Sequence, residues 1–276
     1  DVHAGARMID WTDAFDNSGY VPGSDALPGV WAGRAEQYRD DMAARGLAET
    51  GIAYGARPRN AFDLFRPDTP ARGLIVFVHG GYWQRMDRSF FSHLAEGARA
   101  RGWAVAIPSY TLAPEARISA IAQDVATAIA SAAERVPGPV RLAGHSAGGH
   151  LVSRMACADA PLPAPVAGRL ERVLSISGIH DLRPLLLSDM NEVLHLTAEE
   201  AAAEGPALRT PLQDVPCHFH VGAAERPELI RQTRLIAEAW GLAGADVADA
   251  YPAGEDHFSI IEGLAMEGPL LRALLD

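Results

Sequence analysis

The stretch "VRLAGHSAGGHL", residues 140–151, constrains this chain more than any other. A short apolar run enters Gly144-His145-Ser146-Ala147-Gly148, and a helical pattern leaves it. A Ser flanked by Gly at two positions on either side, between a strand and a helix, forms a sharp and strained turn that projects the hydroxyl. Residues two away on each side must lack bulk, because side chains there would clash across the turn. The helix that follows adds its N-terminal amides to the place where negative charge would develop. Ser146 is therefore the candidate nucleophile. His145 is expected to point away from the reaction, and His150, one turn into the helix, is read as structural.

The turn demands a strand and a helix on either side of it, and the rest of the chain repeats that alternation. Strand-like runs lie at Gly51–Ala56, Ala61–Phe65, Leu74–Val78, Ala104–Ile107, Val140–Ala143, Val173–Ser177, His218–Val221 and Val247–Tyr251. Ile118, Ile121, Val125 and Ile129 mark one face of a helix between them, as do Leu229, Thr233, Ile236 and Trp240. Strands alternating with helices at this spacing predict an α/β fold, a mostly parallel eight-stranded sheet with helices on both faces. Residues 1–276 read as a single domain. Residues 1–48 form an irregular lead-in followed by a helix, "WAGRAEQYRDDMAARGLA". The long connection 180–215 is a candidate lid insertion, with Thr197 and Glu200 at capping-box spacing before an Ala-rich helix.

Composition narrows the function classes. The 276 residues are 48% hydrophobic and 21% charged, which suits a globular chain. No apolar run reaches the roughly 20 residues of a spanning helix. The first residues, "DVHAGARMIDW", lack a basic region followed by an apolar one, so a signal peptide is not expected. Net charge is −11, and all 24 basic residues are Arg. An acidic chain without basic clusters is a poor match for nucleic acid or an anionic membrane. Cys157 and Cys217 lie in apolar segments and read as buried thiols, which fits a reducing, cytoplasmic setting. His218 and His220 share a strand face but lack a third ligand nearby, so no metal is expected, and no cofactor.

A second stretch, "LIVFVHGGYWQRMD" at 74–87, supplies what a Ser nucleophile needs. Attack by Ser creates an oxyanion, and backbone amides held by the fold stabilise it best. Gly80 and Gly81 let the chain turn and let a substrate approach, so they are candidate donors, with the Ala147 amide as the other half. His79 is placed to hold the loop by hydrogen bonding. Tyr82 and Trp83 would wall the acyl side of the pocket and limit the acyl group to something small. The alternative is that both rings pack on the core beneath the loop.

The base must be a late His, since chain order in this architecture runs Ser, acid, His. Only His257, in "YPAGEDHFSIIEGL", lies beyond the last strand. The acid is expected after the seventh strand, where "CHFHVGAAERPELIRQ" offers Glu225 to orient His257 and stabilise its imidazolium. Asp256, Glu255 and Glu228 are rivals. The first two adjoin His257, and neighbouring side chains on an extended loop diverge, which favours Glu225.

From about Phe62 to Leu264 the chain resembles the α/β-hydrolase superfamily and, within it, the kynurenine formamidases (arylformamidases) and their bacterial relatives. The resemblance is carried by "HGGYWQ" at 79–84, "GHSAGGHL" at 144–151, "SISGIHDLRPLL" at 175–186, "VGAAERPELIRQ" at 221–232 and "DHFSIIE" at 256–262. It implies a serine hydrolase that cleaves the formyl amide of N-formylkynurenine, with Ser146, Glu225 and His257 as triad and Gly80, Gly81 and Ala147 as oxyanion site. The chain departs from the family where Glu225 replaces Asp and where His180 replaces a Tyr, and His180 joins Tyr82 and Trp83 as a substrate-binding candidate. Residues 1–48 are closer to bacterial hydrolases of unassigned substrate. A second resemblance, to the hormone-sensitive-lipase-like esterases, rests on "HGG" and "YTLAPEA" at 110–116. There Tyr82 replaces the third Gly, His145 an Asp, and "DHF" the usual "HGF". A short-chain carboxylesterase is thus the alternative, and a non-catalytic binding module the less favoured one. The expected partner is a small amide or ester substrate, with a homodimer as the candidate assembly.

Overall fold

Leu74, Val76 and Val78 fall in one apolar cluster and Ile75 and Phe77 in another, so a single five-residue strand feeds two cores. Such a strand is stable only with helices on both sides, because alternate side chains leave opposite faces. The computed structural model, which describes residues 8–276, has that arrangement. Its sheet has eight strands: β1 (Ala48–Ala53), β2 (Ala61–Phe65), β3 (Leu74–Val78), β4 (Ala104–Pro108), β5 (Val140–His145), β6 (Leu170–Ile176), β7 (Cys217–His220) and β8 (Val247–Ala250). They lie in the order β1-β2-β4-β3-β5-β6-β7-β8. The β1–β2 and β2–β4 pairs are antiparallel, and every pair from β4 to β8 is parallel.

Strand order places the site. The chain leaves β3 toward β4 on one side, and β5 then joins β3 on the other. Connections that depart in opposite directions open a crevice at the strands' C-terminal ends, where open α/β sheets bind ligands. The loop after β3 and the turn after β5 line that crevice. The helices Ile118–Arg135 and Pro227–Leu242 bury the faces expected for them: Ile118, Ile121, Val125 and Ile129, and Leu229, Thr233, Ile236 and Trp240.

Several segments differ from expectation, among them β6, which starts at Leu170 rather than Val173. The lead-in helix spans Leu27–Ala44, starting four residues earlier than its apolar pattern suggests, with Pro28 in its first turn. The first strand begins at Ala48 because Gly51, at φ 68°, forms a bulge within the strand. Residues 180–215 form short turns and the helix Ala198–Glu204, whose Thr197 caps the Glu200 amide. Glu200 does not complete the box. Its carboxylate instead accepts from the amide and hydroxyl of Ser119, tying the insertion to the helix Ile118–Arg135. The insertion therefore covers a flank of the sheet, away from the crevice. The first seven residues of the lead-in lie outside the described residues. Among the described residues no helix is long and apolar enough to cross a membrane. Cys157 and Cys217 are buried free thiols.

Candidate active site

Ser146 follows β5 with φ 57° and ψ −117°, a conformation that L residues rarely adopt. Its flanking glycines are required by contact. A Cβ on Gly148 would lie 1.9 Å from the Val78 carbonyl oxygen, and one on Gly144 would lie 2.2 Å from the Gly148 carbonyl oxygen. The Ser146 amide donates to the Ile176 carbonyl (2.8 Å), which locks the turn to β6.

The Ser146 hydroxyl lies 3.1 Å from His257 Nε2, and His257 Nδ1 lies 2.6 Å from Glu225 Oε1. A carboxylate only accepts, so the imidazole proton sits on Nδ1 and Nε2 is free to accept from Ser146. All three side chains are buried. Glu225 Oε2 also accepts from the Ser177 hydroxyl (2.5 Å) and the Gly222 amide (2.7 Å). The carboxylate is thus held on both oxygens and directs one at His257. The rival acids are engaged elsewhere. Asp256 accepts from the Phe258 and Ser259 amides, Glu255 from the Ser259 hydroxyl, and Glu228 pairs with Arg231.

The loop after β3 faces Ser146. A Cβ on Gly80 would come within 2.9 Å of Ser146 Cβ, so only a bare backbone can lie there. Gly81 has φ 113°, and both the Gln84 and Arg85 amides donate to its carbonyl (3.0 Å each). His79 Nδ1 donates to the Gly80 carbonyl (2.6 Å), with its ring stacked 4.5 Å from Tyr110. Burial pushes its imidazole down to about 4, so it remains a neutral structural donor.

Tyr82 and Trp83 are both left-handed, at φ 55° and 58°. These consecutive turns send the two rings in different directions. Tyr82 borders the crevice, and its hydroxyl donates to the Phe15 carbonyl (2.6 Å) and accepts from the Asn17 side chain (2.9 Å). Trp83 does not line the site. It is 0% exposed, and its Nε1 donates to His150 Nδ1 (3.2 Å), whose Nε2 donates to the Glu204 carbonyl (2.7 Å). The acyl-wall expectation is corrected for Trp83, because the strained loop rolls its indole into the core. Trp83→Ala should consequently lower stability by about 3–5 kcal/mol, on the order of 10 °C in Tm for a chain of this size. Thermal unfolding checks the stability loss, and the acyl-chain preference of the folded fraction should be unchanged.

His180 is likewise no substrate contact. It is buried beside Ser175 Oγ (3.4 Å) and edge-on to Phe219 (5.3 Å), and burial pushes it down to about 3. At a position beneath the sheet's end, a His packs as a neutral ring. His145 also departs from expectation, since its ring points toward the reaction side and its Nε2 lies 2.7 Å from the His257 carbonyl oxygen.

The crevice encloses about 330 Å³. Its floor is Ser146, His257, Gly80 and Gly81, and its walls include Trp31, Phe91, Phe258 and Tyr82. The roof comes from the lead-in: Ser18, Ser24, Asp25, Pro28 and Trp31. No residue of 180–215 takes part. The lead-in is held by Tyr82 and by Arg226, the neighbour of Glu225, which pairs with Asp13 (2.6 Å) and covers the Tyr20 ring (5.1 Å). The insertion contributes from the side, through the Asp189 amide on Thr12 Oγ1 (2.9 Å). Arg85 also lines the crevice, with its guanidinium 5.7 Å from the Tyr82 ring centre. Ser177 and the roof residues escape a reading of motifs. Ser177 is one small polar residue inside an apolar strand end, and the roof lies about 50 to 130 positions before the loop and turn it covers.

A family model described as the alpha/beta hydrolase fold matches residues 75–258. The kynurenine formamidase of Danio rerio is 29% identical over 243 residues, covering 84% of this chain and 83% of that protein. That of Drosophila melanogaster is 29% identical over 81% of this chain and 79% of its own length. A solved structure of a candidate thioesterase from Silicibacter sp. TM1040 is 42% identical, covers 98% of this chain and 100% of that one, and superposes with a TM-score of 0.92. Esterase B from Lactobacillus rhamnosis shares the fold at 17% identity, with a TM-score of 0.66 over 90% of this chain and 91% of that one. The family match spans two thirds of the chain and holds the crevice floor from Gly80 to His257, so this chain belongs to the alpha/beta hydrolase fold family and is a hydrolase.

Proposed function

We propose that the protein removes a small acyl group from an amide or ester, with an aryl formamide of the N-formylkynurenine kind as its preferred substrate. The observation that carries this reading is the Ser146–His257–Glu225 chain of contacts on the floor of an aromatic crevice. Ser146 Oγ attacks the formyl carbon while His257 Nε2 takes its proton, and Glu225 stabilises the imidazolium. The oxyanion is received by backbone amides of Gly80, Gly81 and Ala147. His257 then gives the proton to the leaving amine. Water, activated by the same imidazole, attacks the formyl-serine and releases formate. The enzyme would act in the cytoplasm, a reading supported by its free thiols.

Trp31, Phe91, Phe258 and Tyr82 suit an aryl leaving group, and Arg85 and Asp25 suit the charged ends of an amino acid. The curated relatives named kynurenine formamidase support the same substrate. A second reading, a short-chain carboxylesterase or thioesterase, is favoured by the relative at 42% identity that bears a thioesterase name. The test compares kcat/KM for N-formylkynurenine with p-nitrophenyl formate, acetate and butyrate and an acetyl thioester. N-formylkynurenine should exceed all of the others, despite their better leaving groups. A preference for butyrate or for the thioester would favour the second reading. Arg85→Ala should cost N-formylkynurenine about 10- to 100-fold more than the neutral esters, since a charge-assisted hydrogen bond contributes about 1.5–3 kcal/mol.

A further inference from the structure

His257 sits on a loop between β8 and the turn Ser259–Leu264, outside the sheet. Its imidazole is held by Glu225 and Ser146, but those contacts fix only the ring. The loop is tied on either side by the Ala224 amide on the Glu255 carbonyl (3.1 Å) and by the Phe258 amide on Asp256 (2.8 Å), and the His257 carbonyl itself is held by His145, whose Nε2 lies 2.7 Å from that oxygen. A carbonyl only accepts, so His145 carries its proton on Nε2. The His145 ring is 5% exposed and lies 4.7 Å from the His257 ring, tilted by 41°. Its other edge faces Gly80, where a Cβ would come within 3.5 Å of Nδ1. His145 thus occupies the space between the Gly80 loop and the base, directly before Ser146.

On the triad reading above, we propose that His145 is a positioning residue: its Nε2–H fixes the main chain of His257, so one strand end sets both the nucleophile and the place of its base. The Ser146–His257 distance of 3.1 Å is then a property of β5 and of one side chain on it. Misplacing a catalytic group by about 1 Å can cost on the order of a hundredfold in rate. Burial keeps this imidazole far below its usual range, so it stays neutral beside the imidazolium formed on His257 during turnover. A charged neighbour there would oppose that imidazolium.

The test uses His145→Leu, which removes the donor, and His145→Gln, whose amide N–H reaches about as far as Nε2. His145→Leu should lower kcat about 10- to 100-fold with KM within about twofold. His145→Gln should keep at least about a third of kcat, because the donor is restored. The low-field proton resonance of His257 Nδ1–H should persist in the native and Gln proteins and broaden in the Leu protein. A Leu variant with native kcat, or Gln and Leu variants equally impaired, would overturn the assignment. A fluorophosphonate that labels Ser146 in all three proteins keeps such a failure separate from failure of the triad reading, which would show as no label on Ser146 in the native enzyme.

Discussion

Ser146→Ala should lower kcat by about 10⁴- to 10⁶-fold and leave the fold intact. The size follows from cooperation within a triad, where losing the nucleophile alone costs nearly as much as losing all members. What survives is attack by water in a site that still orients the substrate and receives its oxyanion. The fold should be unaffected for a local reason. Alanine shares the Cβ that already tolerates φ 57° at this turn, and among the described residues the side-chain bond lost is the one to His257 Nε2. Circular dichroism and thermal unfolding should match the native protein. A fluorophosphonate should label Ser146 in the native enzyme and nothing in the variant. An active variant, or label elsewhere, would rule out the mechanism.

The second large effect is expected from Glu225→Gln, at about 10⁴-fold in kcat near neutral pH. The amide has one oxygen and one NH₂ where the carboxylate had two acceptors. Oε2 serves two donors, the Ser177 hydroxyl and the Gly222 amide, so the Gln oxygen is drawn to that side. The NH₂ then faces His257 and donates to Nδ1. The imidazole proton moves to Nε2, which can no longer accept from Ser146. The variant should therefore fold well and carry the wrong tautomer. Asp256→Asn is the control, since Asp256 caps the Phe258 and Ser259 amides while the imidazole Nδ1 bonds to Glu225. It should stay within about threefold of native. The reverse ranking of the two variants would mean that the acid is misassigned.

Legibility in the sequence followed the range of each constraint. Ser146 and its glycines were readable because the strand-to-helix turn is a local pattern: a Cβ on Gly144 would strike the Gly148 carbonyl four positions on, although Gly148 is also required by Val78 on the neighbouring strand. The sheet was readable because β3 and its neighbours repeat a short apolar pattern. His257 was readable by elimination, with no other His beyond the last strand. Tyr82 and Trp83 could not be told apart, because two adjacent left-handed residues decide which ring meets the crevice and which the core. His180 was misread because its neighbours, Ser175 and Phe219, belong to different strands of the sheet. Ser177 was missed because its partner, Glu225, lies 48 positions away. His145 was misdirected for the same reason, with its partner 112 positions along.

The roof of the crevice comes from residues 18–31, which precede every strand, whereas Ser146, Gly80, Glu225 and His257 come from the end of β5 and the loops after β3, β7 and β8. The cover of the crevice and its floor therefore come from separate stretches of the chain, while the aromatic walls are shared between them. A substitution among residues 18–31 changes the space over the crevice and leaves the Ser146, His257 and Glu225 contacts in place.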